Sequence, residues 1–566
     1  MRYLIISNRP NRAVRALSDT RCRRTRGRDF GLSVTVLSIF LAVSSASGVV
    51  AAELAAPTTF SIEFRRGTGR TIDVAPSESL QAALDAAQPG DTIVLRSGAT
   101  YKGPFTLPFK SSRDGWILVT TDAHARLPAA GTRLRTADLS LLSRIVPGDG
   151  GGPAIRTANQ AHHFWFVGIE FSPQPNQFIH TLVRLGNADQ TLATLPEHIV
   201  FDRCNFRGDP VVGGRRGIAM DGRWIAIIES RFSDFKERGA DSQGLWAYNS
   251  PGPFKIVNNH IEAAGENVMF GGADPELMGV VPADIEIRRN HFFKPDGWRS
   301  ENWVVKNLLE FKSAQRVLVE GNQFENVWAS GQNGFAVVIT PRNQDGGAPW
   351  TIVEDIRIRY NRFDRVDQGF NILGTDDLHP SRETARIAIE HNLFVTGAER
   401  GAHDKFVQMV ASPRDVHIVN NTGFSNRAFF YAENSPRTPG FVFRNNIVTK
   451  GEYGFSGNSS AEGTGTLANH FVDPNFQKNA IVGASAASYP TNNFFPGRVE
   501  EVGFRDLSRG DYRLAADSPF KNAGTDGNDL GADIDAIDSA LAGESAIGGR
   551  ENSSEKPLPP SQLKIG

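Results

Sequence analysis

The chain has 566 residues, 40% of them hydrophobic, which is enough to bury a large core. Glycine (56), proline (31) and phenylalanine (37) are abundant, and this usage favours many short strands joined by tight bends. A net charge of −1 does not provide the basic surface that a nucleic-acid partner requires. The sequence also contains no zinc pattern of Cys and His, no phosphate-binding loop and no dinucleotide fingerprint.

The first 52 residues have the features of a targeting signal. Five arginines between Arg21 and Arg28 precede an apolar stretch over residues 30–50, and Val50-Ala51-Ala52 offers small side chains to a signal peptidase. We therefore predict a signal peptide over 1–52 and a periplasmic or secreted mature chain; an uncleaved membrane anchor is the alternative. No second apolar stretch is long enough to span a bilayer.

Removal of this segment changes the charge and the cysteine content of the chain. The segment carries nine Arg and two Asp, a net of +7, so a whole-chain charge of −1 leaves −8 on the mature part. Of the two cysteines, Cys22 leaves with the signal and Cys204 remains alone. The mature fold is therefore predicted to be stable without an internal disulfide.

Residues 53–160 are predicted to form an N-terminal cap and the first coils of a repeating structure. The segment TIDVAPSESLQAALDAAQPGDTIVL (71–95) indicates a strand, a short helix, a turn and a second strand. Ser77 or Ser79 can cap the helix, and Pro89-Gly90-Asp91 ends it.

Residues 161–460 contain a repeat of the form apolar-x-apolar-x-x-Asn-x-apolar, with copies 25 to 39 residues apart. The asparagines of the repeat are Asn259, Asn290, Asn322, Asn361, Asn392, Asn421 and Asn446. Periods of this length are typical of solenoids, and alternating apolar residues indicate strands with one face inward. The repeats contain no amphipathic pattern of helical length. We therefore predict an all-β fold, a right-handed parallel β-helix.

Stacked coils place equivalent residues directly above one another. The asparagines are predicted to form a ladder of amide hydrogen bonds, and the apolar residue two places later forms a second stack of Phe292, Phe324, Phe363 and Phe394. Cys204 falls at the asparagine position and is interpreted as a small buried residue. A further strand precedes each asparagine strand, at 245–248, 267–270, 308–312, 336–340, 370–373, 406–410 and 429–432.

The C-terminal part is predicted to end the coils. Residues 461–540 form a closing segment, and residues 541–566 are polar, lack a pattern and are interpreted as a disordered tail. Loops of variable length between the two kinds of strand project from one edge, where solenoids usually build their binding face.

The repeats, the entry segment 71–95 and the segment 508–535 together resemble the pectin-lyase-like superfamily, over residues 70–540. The resemblance implies a protein that acts on or binds uronate-rich polysaccharides, because the family consists largely of polysaccharide lyases and hydrolases, with some epimerases and non-catalytic adhesins.

The segment KNLLEFKSAQRVLVEGNQF (306–324) resembles the region around the catalytic lysine of the chondroitinase B and alginate lyase family. By this resemblance Lys312 is the base that removes the proton next to a uronate carboxylate, and Arg342, one coil later, is the acid or charge stabiliser. The family binds calcium through glutamates near this lysine, which makes Glu310 and Glu266 the candidate calcium ligands here.

The residues themselves place Glu310 and Lys312 on the outer face of their strand, because Leu309 and Phe311 should point inward. An exposed ion pair between the two is the alternative. Neighbouring coils add candidate substrate ligands, which are Asn267, Lys306, Asn343 and Asn371, and earlier coils add Arg215, Arg216 and Trp246. For the last three, a solvated turn and a packed aromatic ring are the alternatives.

Three functions remain open from the sequence. The first is a lyase that cleaves an acidic polysaccharide by β-elimination. The second is a glycoside hydrolase; Asp376-Asp377 resembles the paired aspartates of polygalacturonase-type enzymes, although a turn or a calcium ligand is the alternative for these two residues. The third is a non-catalytic carbohydrate-binding or surface protein.

Overall fold

The computed structural model describes residues 53–62, 67–186, 189, 191–396 and 404–543. The predicted signal peptide and residues 544–566 of the predicted tail (541–566) lie outside the described residues, whereas Leu541 and Ala542 at the start of that tail belong to a helix. Within those residues no helix is both long enough and apolar enough to cross a bilayer.

Three long parallel sheets, here named A, B and C, form the described part of the chain. Sheet A consists of Thr71–Val74, Thr92–Leu95, Ile117–Thr121, His162–Val167, Glu197–Asp202, Arg223–Ile228, Phe254–Val257, Ala283–Arg288, Ala314–Glu320, Val353–Arg359, Ala385–Glu390, Arg414–Val419, Val442–Arg444 and Asn475–Gln477. Sheet B consists of Thr100–Lys102, Ser143–Val146, Ile169–Phe171, Asn205–Arg207, Arg231–Phe235, His260–Ala263, His291–Phe293, Gln323–Val327, Arg362–Val366, Leu393–Val395, Thr422–Phe424, Ile447–Thr449 and Ala480–Val482. Sheet C consists of Phe105–Leu107, Ile155–Thr157, Val183–Leu185, Arg216–Met220, Gln243–Ala247, Glu266–Phe270, Leu309–Phe311, Phe335–Ile339, Gln368–Leu373, Lys405–Val410, Ala428–Glu433 and Phe455–Gly457.

The helices are short and lie between or beyond these strands. The α-helices are Leu80–Ala86, Thr464–His470 and Ile534–Ala542, and the 3₁₀ helices are His124–Arg126, Thr136–Leu141, Leu192–Thr194, Asp296–Ser300, Ala486–Ser488, Val499–Val502 and Leu507–Arg509. A small antiparallel pair, Phe504–Asp506 with Asp511–Leu514, follows the last coil. The hydroxyl of Ser79 accepts a hydrogen bond from Ala82 N (3.1 Å) and so caps the first helix, as predicted.

Each coil adds one strand to each sheet in turn, which is the order of a right-handed parallel β-helix and confirms the predicted fold. The predicted second strands all lie in sheet C, while the repeat strands with their alternating apolar residues lie in sheet A. Coils continue beyond residue 460, because the last strands of sheets A and B are Asn475–Gln477 and Ala480–Val482. Inward residues of all three sheets form one continuous core.

The asparagine ladder is present at the bend between sheets A and B. Asn290 Nδ2 donates to Asn322 Oδ1 (3.0 Å), and Asn322 Nδ2 donates to Asn361 Oδ1 (2.9 Å). The same bond recurs from Asn259 to Asn446 and extends to two residues that the sequence pattern did not include, Asn479 and Asn493. Cys204 is buried at the equivalent position, as predicted.

The predicted phenylalanine stack also forms. Ring centroids are 4.5 Å apart between Phe292 and Phe324 and 4.6 Å apart between Phe324 and Phe363, with nearly parallel rings. Phe394 is tilted and lies 6.4 Å from Phe363. The stack has an unpredicted counterpart in earlier coils, where Phe206 stacks on Phe232 at 4.6 Å.

Two segments that lie outside the coils cover the bend that carries the asparagine ladder. From the N-terminal side, Arg133 Nη2 donates to Arg289 O (2.6 Å) and Gly131 N donates to Glu229 Oε1 (2.7 Å). From the C-terminal side, residues 525–543 run back along the coils, with Thr525 N donating to Asn445 Oδ1 (3.0 Å). The predicted closing segment is therefore also an outer layer, which we call the C-terminal strap (525–543).

Candidate active site

A cavity of about 410 Å³ opens on the outer face of sheet C, in the coils that contain the predicted cluster. Its floor is formed by Met269, Glu310 and Lys312. The side at the amino ends of the strands is formed by Asp241, Lys306 and Gln332, and the opposite side by Gly272, Thr340, Pro341, Arg342, Gln344, Leu373 and Asp377. Four residues predicted from the sequence, Lys306, Glu310, Lys312 and Arg342, therefore meet in one cavity.

The alternation of inward and outward side chains along the strand Leu309–Phe311 determines which residue forms the floor of the cavity. Leu309 and Phe311 are fully buried in the core, and Glu310 between them faces outward, in register with Met269 and Val338. Lys312 follows directly after the strand Leu309–Phe311. Its amine donates to Thr340 Oγ1 of the next coil (2.9 Å) and lies 3.8 Å from Glu310 Oε2. The predicted shared face of Glu310 and Lys312 is present.

Glu310 is held in place from the amino side of the cavity. Asn307 Nδ2 donates to Glu310 Oε1 and to Gln332 Oε1 (2.9 Å), while Asn307 Oδ1 accepts from Phe335 N (3.1 Å). The side chain of Glu310 is only 2% exposed, whereas that of Lys312 is 20% exposed. Of the two, Lys312 therefore has the greater access to a molecule in the cavity.

Lys306 links the cavity to a buried carboxyl group. Its amine lies 2.6 Å from Asp241 Oδ2 and 3.6 Å from Glu266 Oε1. Burial raises the pKa of Glu266 to about 8, and the neighbouring Glu310 and Asp241 act in the same direction. Gln243 Nε2 donates to Glu266 Oε2 (2.8 Å). Because Glu266 is 1% exposed, it lies behind the cavity and does not line it.

Arg342 is bound by the aspartate pair of the following coil. Its Nη1 lies 2.9 Å from Asp376 Oδ1 and 3.0 Å from Asp377 Oδ1. Burial would raise the pKa of Asp376, but backbone hydrogen bonds from Leu378 and Asn343 and the charge of Arg342 outweigh it and lower the pKa. Asp376-Asp377, interpreted from the sequence as a turn or ligand pair, therefore anchors an arginine of the cavity.

Two of the predicted substrate ligands, Asn343 and Asn267, are buried and hydrogen-bonded inside the protein and do not face the cavity. Asn343 is fully buried, and its side chain donates to Pro380 O (2.7 Å) and accepts from Ala348 N (2.8 Å). Asn267 is also fully buried and faces the core at the bend into sheet C, where its Oδ1 accepts from Lys294 Nζ (3.1 Å). Neither side chain reaches the cavity.

The remaining predicted ligands lie on sheet C outside the cavity. Arg215 is paired with Glu237 (2.7 Å). The guanidinium of Arg216 lies 4.0 Å from the ring centroid of Trp246, on which Tyr248 also stacks at 4.5 Å. Trp246 is therefore a packed ring, the alternative given by the sequence. Asn371 is partly exposed and accepts from Gln408 Nε2 (3.2 Å).

The amino side of the cavity depends on an aromatic cluster that the sequence argument did not identify. Trp298, Trp303 and Trp328 pack together with Val305 in two loops, between sheets B and C, that also carry Lys306 and Gln332. Arg238 and Arg299 each lie 4.0 Å from the centroid of one of these rings. The sequence signal that could have identified this cluster is the occurrence of three tryptophans within 31 residues, in loops of unusual length.

The predicted calcium ligands are Glu310 and Glu266. Calcium takes six to eight oxygen ligands. The oxygens of Glu266 and Glu310 instead face Gln243, Asn307 and two lysines, and Glu266 is enclosed. Across the described ranges no group of three or more His, Cys, Asp or Glu side chains is arranged to hold a metal ion. In this arrangement the pair does not fit calcium.

No family model matches the chain, and no curated protein matches its sequence. Similar solved structures include a mannuronic acid specific polysaccharide family 6 lyase from human gut microbiota, with 11% identity, a TM-score of 0.44, and coverage of 78% of this chain and 93% of that one. They also include the pectate lyase Pel9A (14%, 0.36, 82% and 96%) and PfbA, a surface adhesin of Streptococcus pneumoniae (10%, 0.39, 73% and 85%). The activities in these names belong to those proteins. The three parallel sheets of this chain themselves define its class, the right-handed parallel β-helix proteins.

Proposed function

We propose that this chain is an exported enzyme that cleaves an acidic polysaccharide by β-elimination in the cavity on sheet C. The observation that carries the proposal is the meeting of Lys312, Lys306 and Arg342 around one open cavity of about 410 Å³. Lyase chemistry on a uronate needs a base near the proton next to the carboxylate and cations that stabilise the anion formed when that proton leaves.

Lys312 is the proposed base. Its amine lies on the cavity floor at the end of a rigid strand, and the hydroxyl of Thr340 fixes its direction. In the reaction the amine takes the proton from the carbon next to the uronate carboxylate. The electron pair then forms a carbon–carbon double bond as the bond to the glycosidic oxygen breaks, and that oxygen receives a proton.

Lys306 and Arg342 are the proposed charge stabilisers, on opposite sides of Lys312. Each already forms ion pairs with carboxylates of the protein. Lys306 is paired with Asp241, and Arg342 is paired with Asp376 and Asp377. When a substrate binds, its carboxylate therefore replaces a protein carboxylate as the partner of one of these cations. Asp377 is the group best placed for this exchange, since its side chain is 71% exposed while that of Asp376 is fully buried.

A glycoside hydrolase is the second candidate, favoured by the carboxylates Asp241, Glu310 and Asp377 that line the same cavity. Hydrolases use such groups as general acid and as base or nucleophile. A non-catalytic binding protein is the third. All three functions imply a polysaccharide ligand; the lyase and the hydrolase differ in their products, and the binding protein forms none.

The test is a panel of purified polysaccharides incubated with the mature chain, in parallel with added calcium and with a chelator. Ultraviolet absorbance and reducing ends are both measured. A lyase yields both signals because each cleavage leaves an unsaturated uronate, and a hydrolase yields reducing ends alone. Binding without either signal would leave the non-catalytic function. Activity that survives the chelator agrees with the poor fit of Glu266 and Glu310 to calcium.

Replacement of the base tests its role. Lys312→Ala should lower activity by at least ~10²-fold, the usual contribution of a general base, while the melting temperature stays within a few degrees of wild type. Lys405→Ala is the matched control, because Lys405 lies on the outer face of the same sheet, three strands away, and bonds to Gln408 (3.0 Å). Full activity of Lys312→Ala, or equal losses in both variants, would contradict the assignment.

A further inference from the structure

Two histidines meet on the outer face of sheet B, on the far side of the core from the cavity floor. His260 and His291 are in register on adjacent strands, and their Nδ1 atoms are 3.1 Å apart. The side chains are 13% and 21% exposed, so the pair is largely enclosed but reached by solvent.

The other nitrogen of each ring contacts a carboxylate. His260 Nε2 lies 2.7 Å from Glu262 Oε1, and His291 Nε2 lies 2.8 Å from Glu325 Oε2. An ionised carboxylate only accepts hydrogen bonds, so both Nε2 atoms carry the proton.

This arrangement leaves the Nδ1 lone pairs of the two rings close together. With both Nε2 atoms protonated, each neutral imidazole presents an acceptor at Nδ1, and two acceptors 3.1 Å apart repel unless a cation lies between them. Histidines that bind metals almost always donate the other ring N–H to a carboxylate or carbonyl, which is the arrangement of both rings here.

The distance also fits a metal ion. With metal–nitrogen bonds of about 2.0–2.1 Å, nitrogens 3.1 Å apart subtend an angle of about 98° at the ion, between the square-planar and tetrahedral values. Because no group of three or more ligating side chains occurs among the described residues, the remaining ligands would be water.

We propose that His260 and His291 bind one divalent transition-metal ion, zinc or copper(II), through their Nδ1 atoms. The ion joins the strands His260–Ala263 and His291–Phe293 at the root of the tryptophan-rich loop. The residue after the second strand, Lys294, already ties the same two segments together, because its amine donates to Ala263 O (2.7 Å) and Gly265 O (2.9 Å). The site is separate from the proposed function and does not depend on it.

The experiment is calorimetric titration of zinc chloride into the chelator-treated, metal-free mature chain at pH 7.5. One ion per chain should bind, and the melting temperature should rise with zinc. His260→Gln and His291→Gln should each weaken binding by more than tenfold, and Glu262→Gln by about 10–100-fold through its effect on His260. His417→Gln, on sheet A, is the matched control and should bind like wild type.

Copper(II) provides an independent spectroscopic test. The electron paramagnetic resonance spectrum of one equivalent should show coupling to two imidazole nitrogens in wild type and in His417→Gln, and fewer in His260→Gln and His291→Gln. Absence of zinc uptake would show that a proton alone bridges the pair and would overturn the proposal. Uptake that is equally strong in both histidine variants would mean adventitious binding elsewhere and would overturn it as well.

Discussion

At the scale of single residues, the asparagine ladder shows how a polar side chain can be buried without loss. The Oδ1 of Asn392 accepts from both the backbone N (3.0 Å) and the Nδ2 (2.9 Å) of Asn361, and Asn361 Nδ2 also donates to Val319 O (3.0 Å). Every amide therefore satisfies backbone groups that the bend would leave unpaired. Removal of one side chain leaves partners unsatisfied on both sides.

Asn361→Ala should therefore lower the free energy of unfolding by about 1–3 kcal/mol, the cost of buried polar groups that lose a partner. Chemical denaturation of the mature chain measures the difference. Asn458→Ala is the matched control, because Asn458 is exposed and its 3.3 Å bond to Glu433 is accessible to water. An Asn361 variant as stable as this control would show that the ladder contributes no net stability.

Glu266 links burial to the pH dependence of stability. Burial raises its pKa to about 8 in the folded chain, from the ordinary value of 4.5. Below pH 4.5 the carboxyl is protonated in both states. As pH rises from 4.5 towards 8 the unfolded chain loses this proton before the folded chain does, so the contribution to stability declines.

Glu266→Gln removes this titration. The melting temperature of the variant, relative to wild type, should therefore rise progressively between pH 5 and pH 8. Glu433→Gln, a substitution of an exposed carboxylate, should show a constant difference over the same range. A constant difference for Glu266→Gln too would mean that the carboxylate stays ionised in the folded chain, through Lys306 or Lys294.

At the scale of elements, the strands were predictable and the outer segments were not. Alternation of apolar residues is a local signal, and it placed strands such as Phe335–Ile339 and Gln368–Leu373 in one sheet. The C-terminal strap has no such period, because its contacts follow the spacing of the coils it crosses. Gly321, with φ of 63°, illustrates the point: a Cβ there would lie 2.6 Å from Ala540 O, a contact between residues 219 positions apart.

The candidate site, like the fold, was predictable from the sequence where its residues lie on strands and not where they lie on loops or bends. Outward positions on a strand could be assigned, so Glu310 and Lys312 were placed together correctly. Asn343 and Asn267 could not be assigned, because a loop and a bend decide which way their side chains point. The pairing of Arg342 with Asp376 also depended on two loops of different length from successive coils.

The strap helix Ile534–Ala542 gives a test at this scale. Ile537 is buried against Leu393 and Ile534. Ile537→Ala should cost about 2–5 kcal/mol locally, the range for such buried truncations, so amides of the strap should exchange with solvent at least ~20-fold faster. Hydrogen exchange followed by mass spectrometry measures this, with Ser539→Ala on the same helix as control. Unchanged exchange in residues 525–543 would show that the packing does not hold the strap.

At the scale of the whole molecule, the described N-terminal residues lie outside the coils. Ala55 N donates to Asp355 Oδ1 (3.0 Å) and Thr58 N donates to Asp284 Oδ1 (2.8 Å), so this segment crosses sheet A before it enters the first strand at Thr71. Without residues 1–52 the sequence carries a net charge of −8. In the cavity the cations Lys306, Lys312 and Arg342 are matched by an equal number of carboxylates among the lining residues.

The remaining prediction concerns the chain that reaches the cell exterior. Residues 1–52 combine a basic region, an apolar stretch and the small residues Val50-Ala51-Ala52, so we expect their removal on export. Glu53, the residue after the predicted cleavage site, is exposed, and Ala55 N donates to Asp355 on the coils. N-terminal sequencing of protein recovered from the periplasm or medium should give Glu-Leu-Ala-Ala-Pro. Ala52→Asp should reduce cleavage, because signal peptidase requires a small residue directly before the cleaved bond, and Ala56→Asp, beyond the cleavage site, is the control. Recovery of the intact N-terminus from the exported fraction would show that the segment is an anchor, the alternative left open by its sequence.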